Sequence, residues 1–173
     1  SNCIFPGFEG PVAPDWVRRR VGEGLGGVAL YAWNVESRDQ LRALTDDLSA
    51  ERTELLIGID EEGGDVTRLE ARTGSSFPGN LALGHIDDPG LTRAVAHELG
   101  RRLAAAGVNL NWAPSADVNS NPDNPVIGVR SYGDSVALVS ELGRAFVRGQ
   151  QDAGLVTVAK HFPGHGATDA DSH

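Results

Sequence analysis

The chain has 173 residues and a formal net charge of −9 at pH 7, with 40% hydrophobic and 23% charged residues. These values are typical of one soluble globular domain with a sizeable core, and the length leaves no room for a second domain of similar size. The negative charge argues against nucleic acid or an anionic membrane as a partner, and no apolar run approaches the roughly 20 residues that span a bilayer.

The first third of the chain predicts a strand, a helix and a second strand. Residues 3–8 form a short apolar segment that contains Pro and Gly, and a brief helix is predicted over residues 15–21. The glycine-rich run at 22–27 then leads into an apolar strand over residues 27–33. This run satisfies G-x-G-x-x-G, but a dinucleotide-binding turn follows a strand and opens a helix. Here the order is reversed, so the glycines predict a helix stop and a tight turn.

A capping box predicts the next helix. Ser37 is followed by Gln40, and leucines then recur at helical spacing at Leu41, Leu44 and Leu48. Residues 55–60 follow as a third strand, which is apolar until it ends in a carboxylate.

The second half of the chain predicts two longer helices and two further strands. Pro89 begins a helix that stops at Gly107, and residues 108–114 form the fourth strand. A helix with an apolar face then ends at Gly154, and residues 156–161 form the fifth strand.

The predicted strands are apolar throughout and alternate with helices, which indicates a parallel sheet of five strands covered on both faces. In such α/β folds the functional groups lie at the carboxyl ends of the strands. We therefore expect the loops that carry Asp60, Asn111, Arg130 and Lys160 to converge at one edge of the sheet. The outer strands, at 3–8 and 156–161, are expected to be unpaired edges with exposed apolar surface.

Two polar loops are candidates for a binding site. Residues 60–68 place four carboxylates and one arginine around paired glycines, which is compatible with a solvated acidic loop. In the functional interpretation, Asp60 accepts hydrogen bonds from sugar hydroxyls and Arg68 donates to others. Residues 119–133 form a long Asx- and Pro-rich loop with a defined path, in which Arg130 is a fixed donor.

The last fourteen residues contain one Lys, three His and two Asp. Three interpretations remain open for them. The first is a metal site formed by His161, His165, Asp169, Asp171 and His173, although Pro and Gly between them do not hold ligands rigidly. The second is a structural role, with the histidines capping a strand and a loop. The third is a dyad in which Asp171 orients the imidazole of His173 for proton transfer.

These C-terminal residues resemble the signature of glycoside hydrolase family 3, specifically its β-N-acetylglucosaminidase branch. The run Lys-His-Phe-Pro-Gly-His-Gly stands at 160–166 and Asp-Ser-His at 171–173. Weaker matches precede it in the expected order, at 26–28, 60–68, 111–118 and 130–133. The resemblance implies a (β/α)₈ TIM-barrel-type α/β fold, of which residues 1–173 are the N-terminal portion with about five βα units.

The resemblance also implies retaining hydrolysis of terminal β-linked N-acetylglucosamine from glycans or from cell-wall or chitin fragments. By position, His173 and Asp171 are the catalytic dyad, and the sugar-binding residues are Asp60, Arg68, Arg130, Lys160 and His161. The nucleophilic Asp of the family is expected downstream of His173. No metal or other cofactor is implied, because side chains fill every role, and the expected partner is a carbohydrate.

Two alternatives stay open: a β-glucosidase of the same family, and a carbohydrate-binding segment without turnover.

The acidic loop at residues 60–68 departs from the family pattern, since Glu61 and Asp65 stand where other members often have neutral or basic residues. We expect this to add negative charge beside the sugar. The sequence leaves open the oligomeric state, the aglycone, transfer to phosphate rather than water, and a cytoplasmic or secreted bacterial-type location.

Overall fold

The structure is a computed structural model that describes residues 3–170, and this range contains four parallel β-strands. They are β1 (Gly27–Leu30), β2 (Leu56–Ile59), β3 (Leu110–Asn111) and β4 (Val156–Thr157). The strands lie side by side in chain order, so that Gly58 of β2 pairs with Ala29 on one side and with Leu110 on the other. A helix occurs in each connection, as parallel pairing requires.

The α-helices of the described range are α1 (Asp15–Gly22), α2 (Arg38–Glu51), α3 (Asn80–Ile86), α4 (Pro89–Ala105) and α5 (Val136–Asp152). Short 3₁₀ turns lie at Ala32–Asn34 and Gly128–Arg130. Four of the five helices were predicted. The sequence gives no clear indication of α3, because its seven residues include Gly84 and its N-terminus has no capping side chain.

The predicted start of α2 is confirmed, with one change in its hydrogen bonds. Ser37 Oγ accepts a bond of 3.1 Å from the backbone N–H of Gln40, as a capping box requires. The Gln40 side chain instead accepts from Glu36, one residue earlier than expected. The predicted stops also hold: α1 ends at Gly22, and Gly107 follows α4 with φ of 77°.

The two faces of the sheet are packed differently. On one face, Val28 and Ile57 are fully buried against the apolar sides of α1 and α2. On the other face, glycines make room for aromatic rings: a Cβ on Gly58 would lie 2.4 Å from the Trp112 ring, and one on Gly27 would lie 2.1 Å from the Phe5 ring. The Phe5 and Trp112 rings meet edge to face at 5.8 Å. The second face is therefore shaped by large side chains from outside its strands.

The prediction of a strand at residues 3–8, the first of the five, is wrong. This segment is irregular. The backbone N–H of Ala29, in β1, donates to the Pro6 carbonyl at 3.0 Å. Pro6 has no N–H to give in return, so a strand ladder cannot continue through it. The other four predicted strands are present but shorter than the apolar runs that indicated them.

Apolar surface is exposed at the β4 edge, as predicted for that side of the sheet. Val156 and Val158 are 48% and 36% exposed, and the ring of Phe162 is almost wholly exposed. In the part of the chain that the structure describes, none of the helices combines the length and the apolar character that a bilayer-crossing helix requires.

Helices α4 and α5 cross at a close approach that depends on Gly149. A Cβ at this position would lie 2.3 Å from the Arg93 carbonyl oxygen and 2.9 Å from the Ala96 Cβ. Gly149→Ala is therefore expected to lower the free energy of unfolding by about 1–3 kcal/mol through overpacking. Urea denaturation followed by circular dichroism measures this change.

Gly143→Ala on the same helix is the matched control, because no atom lies within 4 Å of a Cβ there. We expect it to be neutral or stabilising by up to about 1 kcal/mol, since Ala is the better helix former. Equal midpoints for the two variants would show that the crossing does not depend on Gly149.

Candidate active site

A cavity of about 470 Å³ lies at the carboxyl ends of the strands. All five predicted sugar-binding residues line it: Asp60, Arg68, Arg130, Lys160 and His161. The predicted convergence of the loops that follow β2, β3 and β4 is therefore confirmed. One wall of the cavity is largely apolar and consists of Phe5, Ala29, Tyr31 and Trp112.

Two of the three cations that line the cavity are bound by Glu62, which was not among the predicted site residues. Arg130 binds its carboxylate through two parallel bonds, Nη2 to Oε1 at 2.8 Å and Nε to Oε2 at 3.0 Å. Lys160 Nζ lies 2.7 Å from the same Oε1. The Glu62 side chain is only 2% exposed, so one buried carboxylate positions two cations from different loops.

Asp60 connects this group to Arg68. Lys160 Nζ donates to Asp60 Oδ1, and Arg68 Nη2 lies 3.8 Å from Asp60 Oδ2. Arg68 Nε is buried without a hydrogen-bond partner among residues 3–170. An ammonium has three donors and a guanidinium five, so these contacts leave N–H groups for a ligand.

The charges stabilise one another. Burial by itself raises the pKa of Glu62, but the hydrogen bond from Arg130 and the charge of Lys160 outweigh it and hold the pKa below its ordinary value. The same bond to Glu62 raises the pKa of Arg130. Glu62 is therefore ionised at neutral pH, and its charge is balanced locally.

Glu61 has a different role from the one the sequence suggested. It does not line the cavity but is buried beneath the loop, where its Oε2 accepts the backbone N–H groups of Arg68 and Leu69 at 2.8 and 3.0 Å. Burial raises its pKa despite these two bonds. The expectation of added charge beside the sugar is thus wrong for Glu61, which fixes the backbone that carries Arg68. Asp65 is exposed and lines a separate cavity of about 370 Å³.

Asp117 orients His161. Its buried Oδ2 lies 2.6 Å from His161 Nδ1 and also accepts from Ser115 Oγ at 3.1 Å, while Oδ1 accepts the His165 N–H at 2.5 Å. Burial by itself raises the pKa of Asp117, but the bonds from His161 and His165 outweigh it and lower the pKa. An ionised carboxylate only accepts, so Nδ1 of His161 carries the proton and Nε2 is left for a ligand.

The loop after β4 is tied to the long polar loop after β3. Asn124 Nδ2 donates to the His165 carbonyl at 2.7 Å, and Asn121 Nδ2 donates to the Thr168 carbonyl at 3.0 Å. His165 Nδ1 also lies 2.5 Å from Thr168 Oγ1. These bonds confirm the defined path predicted for residues 119–133.

Asp171 and His173, the predicted catalytic dyad, lie outside the described residues. The metal interpretation also involved these two residues. Within residues 3–170, no three His, Cys, Asp or Glu side chains are grouped as ligands of a metal ion would be. His161 and His165 make the structural bonds described above.

Comparison with known proteins relates this geometry to one family. Residues 7–173 match the family model described as "Glycosyl hydrolase family 3 N terminal domain". The beta-hexosaminidase A of Pseudoalteromonas piscicida is 42% identical over 159 residues, which is 86% of this chain and 26% of that protein.

Two solved structures are similar over nearly the whole chain. A glycoside hydrolase family 3 β-N-acetylglucosaminidase from Paenibacillus sp. str. FPU-7 has a TM-score of 0.91 and 46% identity, over 97% of this chain and 33% of that chain. NagZ from Neisseria gonorrhoeae, in complex with N-trifluoroacetyl-D-glucosamine, has a TM-score of 0.88 and 30% identity, over 98% of this chain and 52% of that chain. These likenesses confirm the predicted barrel-type α/β fold class. The chain spans about a quarter to a half of the length of these three proteins.

The adjacent glutamates should affect stability with opposite dependence on pH. The lowered pKa of Glu62 contributes stability above its ordinary value of 4.5, and this contribution is lost as the pH falls through the folded-state pKa. Glu62→Gln should therefore lower the free energy of unfolding by about 3 kcal/mol at pH 7, because Arg130 and Lys160 lose their shared partner, and by much less in acid.

Glu61→Gln is the matched control. The raised pKa of Glu61 lowers the stability of the wild type as the pH rises from 4.5 through the folded-state pKa. The free energy of unfolding of Glu61→Gln should therefore increase relative to that of the wild type over this interval. Urea denaturation between pH 3.5 and 7 measures both differences. Parallel pH dependence of the two variants would contradict the assigned environments.

Proposed function

The chain belongs to glycoside hydrolase family 3, and from that premise we propose that the full-length protein removes terminal β-linked N-acetylglucosamine from glycans or from cell-wall or chitin fragments, with retention of configuration. One observation carries the proposal. One carboxylate and three cations, from the three loops that follow β2, β3 and β4, line one cavity of about 470 Å³, and the buried Glu62 binds two of these cations. That volume is within the range of small-ligand sites.

The arrangement suits recognition of a neutral polyol. Asp60 supplies an acceptor, and Arg68, Arg130 and Lys160 supply donors at fixed positions, so vicinal hydroxyls can each find a charged partner. His161, with Nδ1 bound to Asp117, offers Nε2 at the same cavity. The adjoining apolar wall suits the C–H face of the ring. These five residues are proposed to hold the non-reducing sugar.

The acid/base role is assigned to Asp171 and His173 on the strength of their motif. In this scheme, Asp171 orients the imidazole, His173 donates a proton to the leaving oxygen as the glycosidic bond breaks, and it then takes a proton from water. A covalent glycosyl-enzyme intermediate accounts for retention, with an Asp downstream of His173 as nucleophile.

The relatives support an N-acetylglucosamine substrate. The Paenibacillus protein is described as a β-N-acetylglucosaminidase, and the Neisseria structure is a complex with an N-acyl glucosamine. The direct test is hydrolysis of a chromogenic β-N-acetylglucosaminide and of the matching β-glucoside by full-length protein, with and without phosphate. Preference for the first, independent of phosphate, supports the proposal. Preference for the glucoside, phosphate dependence or no turnover would each overturn it.

The proposed acid role of His173 predicts a dependence on the leaving group. His173→Ala in full-length protein should lower kcat for a natural disaccharide by roughly 10²–10⁴, the usual contribution of general acid–base catalysis. A nitrophenyl glycoside needs little protonation, so the first step of its hydrolysis should suffer far less. Asp171→Ala should give the same pattern. Equal losses for all leaving groups would exclude the acid role.

Lys160→Ala is the comparison variant, because Lys160 is proposed to bind sugar hydroxyls rather than the leaving group. Binding and rate should fall together for every leaving group. Steady-state kinetics on the same two substrates measures this, and a leaving-group dependence in Lys160→Ala would contradict its assigned role.

A further inference from the structure

Trp33 is 56% exposed and is not among the described residues that line the proposed sugar cavity. It follows β1 in the 3₁₀ turn Ala32–Asn34, at the same end of the sheet as the cavity. Its ring is stacked on that of Tyr31, with centroids 4.6 Å apart and planes inclined by 18°. Tyr31 lines the cavity. The exposed Trp33 ring is therefore in direct contact with a residue of the cavity lining.

This pair is held rigidly. Trp33 Nε1 donates to the Phe8 carbonyl at 2.8 Å. The buried Asn34 side chain donates to the carbonyls of Phe8 and Gly10 at 3.0 and 2.7 Å and accepts the Tyr31 N–H at 2.8 Å. Gly7 leaves room for the Tyr31 ring, since a Cβ there would lie 2.7 Å from it. The turn thus presents a flat aromatic surface whose position is fixed before any ligand binds.

The exposure of the Trp33 ring does not contribute to the stability of the fold. A Trp that is more than half exposed gives up much of the free energy that burial of its ring would contribute. Its indole N–H is already satisfied by the Phe8 carbonyl, so the exposed part of the side chain is apolar. A fixed apolar face beside a polar cavity is suited to a ligand that is polar at its edge and apolar on its face.

We propose that Trp33 and Tyr31 form a subsite for a second pyranose ring, the unit to which the terminal N-acetylglucosamine is β-linked. A β-linked pyranose with equatorial substituents presents an apolar C–H face, which can stack on the indole while its hydroxyls remain in water. This inference rests on the proposed function, because the first ring must occupy the cavity. It predicts that the protein discriminates between aglycones by stacking rather than by charge.

The test compares two substrates in full-length protein: N,N′-diacetylchitobiose, which has a second ring, and methyl β-N-acetylglucosaminide, which has none. Trp33→Ala should raise KM for the disaccharide about tenfold, the factor expected from roughly 50 Å² of lost apolar contact. For the methyl glycoside the change should be less than about twofold, as should the change in kcat for either substrate. Trp33→Phe should recover part of the loss, because it retains a flat ring.

Trp16→Ala is the matched control. Trp16 is 44% exposed on α1 and is not among the residues lining the cavity in the described range. It should leave both KM values unchanged. Equal effects of Trp33→Ala on the two substrates, no effect on either, or the same effect from Trp16→Ala would overturn the subsite while leaving the proposed function intact. Failure of the wild type to cleave either glycoside would overturn the proposed function, and the subsite with it.

Discussion

The site depends on one buried carboxylate, that of Glu62. Arg130 and Lys160 arrive from different loops, and each would be costly to hold near the interior without a counter-charge. Glu62 supplies it with bonds of 2.7–3.0 Å to both and is itself kept ionised by them. Because Lys160 also reaches Asp60, one network fixes the positions of donors and acceptors before a ligand arrives. Such preorganisation lowers the cost of binding a ligand.

Two further buried acids extend the same principle to the backbone. Glu61 accepts the backbone N–H groups of Arg68 and Leu69. Asp117 binds the His161 ring and the backbone N–H of His165. Each acid fixes a loop rather than facing the ligand. Loops are usually more mobile than the elements they connect, and here buried carboxylates hold the loops in place. The charged groups that line the cavity therefore have fixed positions, although they lie on loops.

The sequence allowed most of the fold to be predicted, because apolar runs and helix caps are local signals. Residues 3–8 were misassigned since a short apolar run cannot be distinguished from a strand until pairing is known, and Pro6 prevents that pairing. The five cavity residues could be named through a family resemblance. The roles of Glu62 and Asp117 could not, because their partners lie 68 and 44 residues away along the chain. Likewise, Trp33 is an unremarkable aromatic until its stacking on Tyr31 is seen.

Calorimetric titration with N-acetylglucosamine tests the central claim most directly. Full-length wild type, Glu62→Gln and Glu61→Gln would be compared at neutral pH, at a temperature where all three are folded. If Glu62 positions the sugar-binding cations, Glu62→Gln should weaken binding by at least about tenfold, and Glu61→Gln should remain within about threefold of wild type. Wild-type affinity in Glu62→Gln, or equal losses in both variants, would contradict the account.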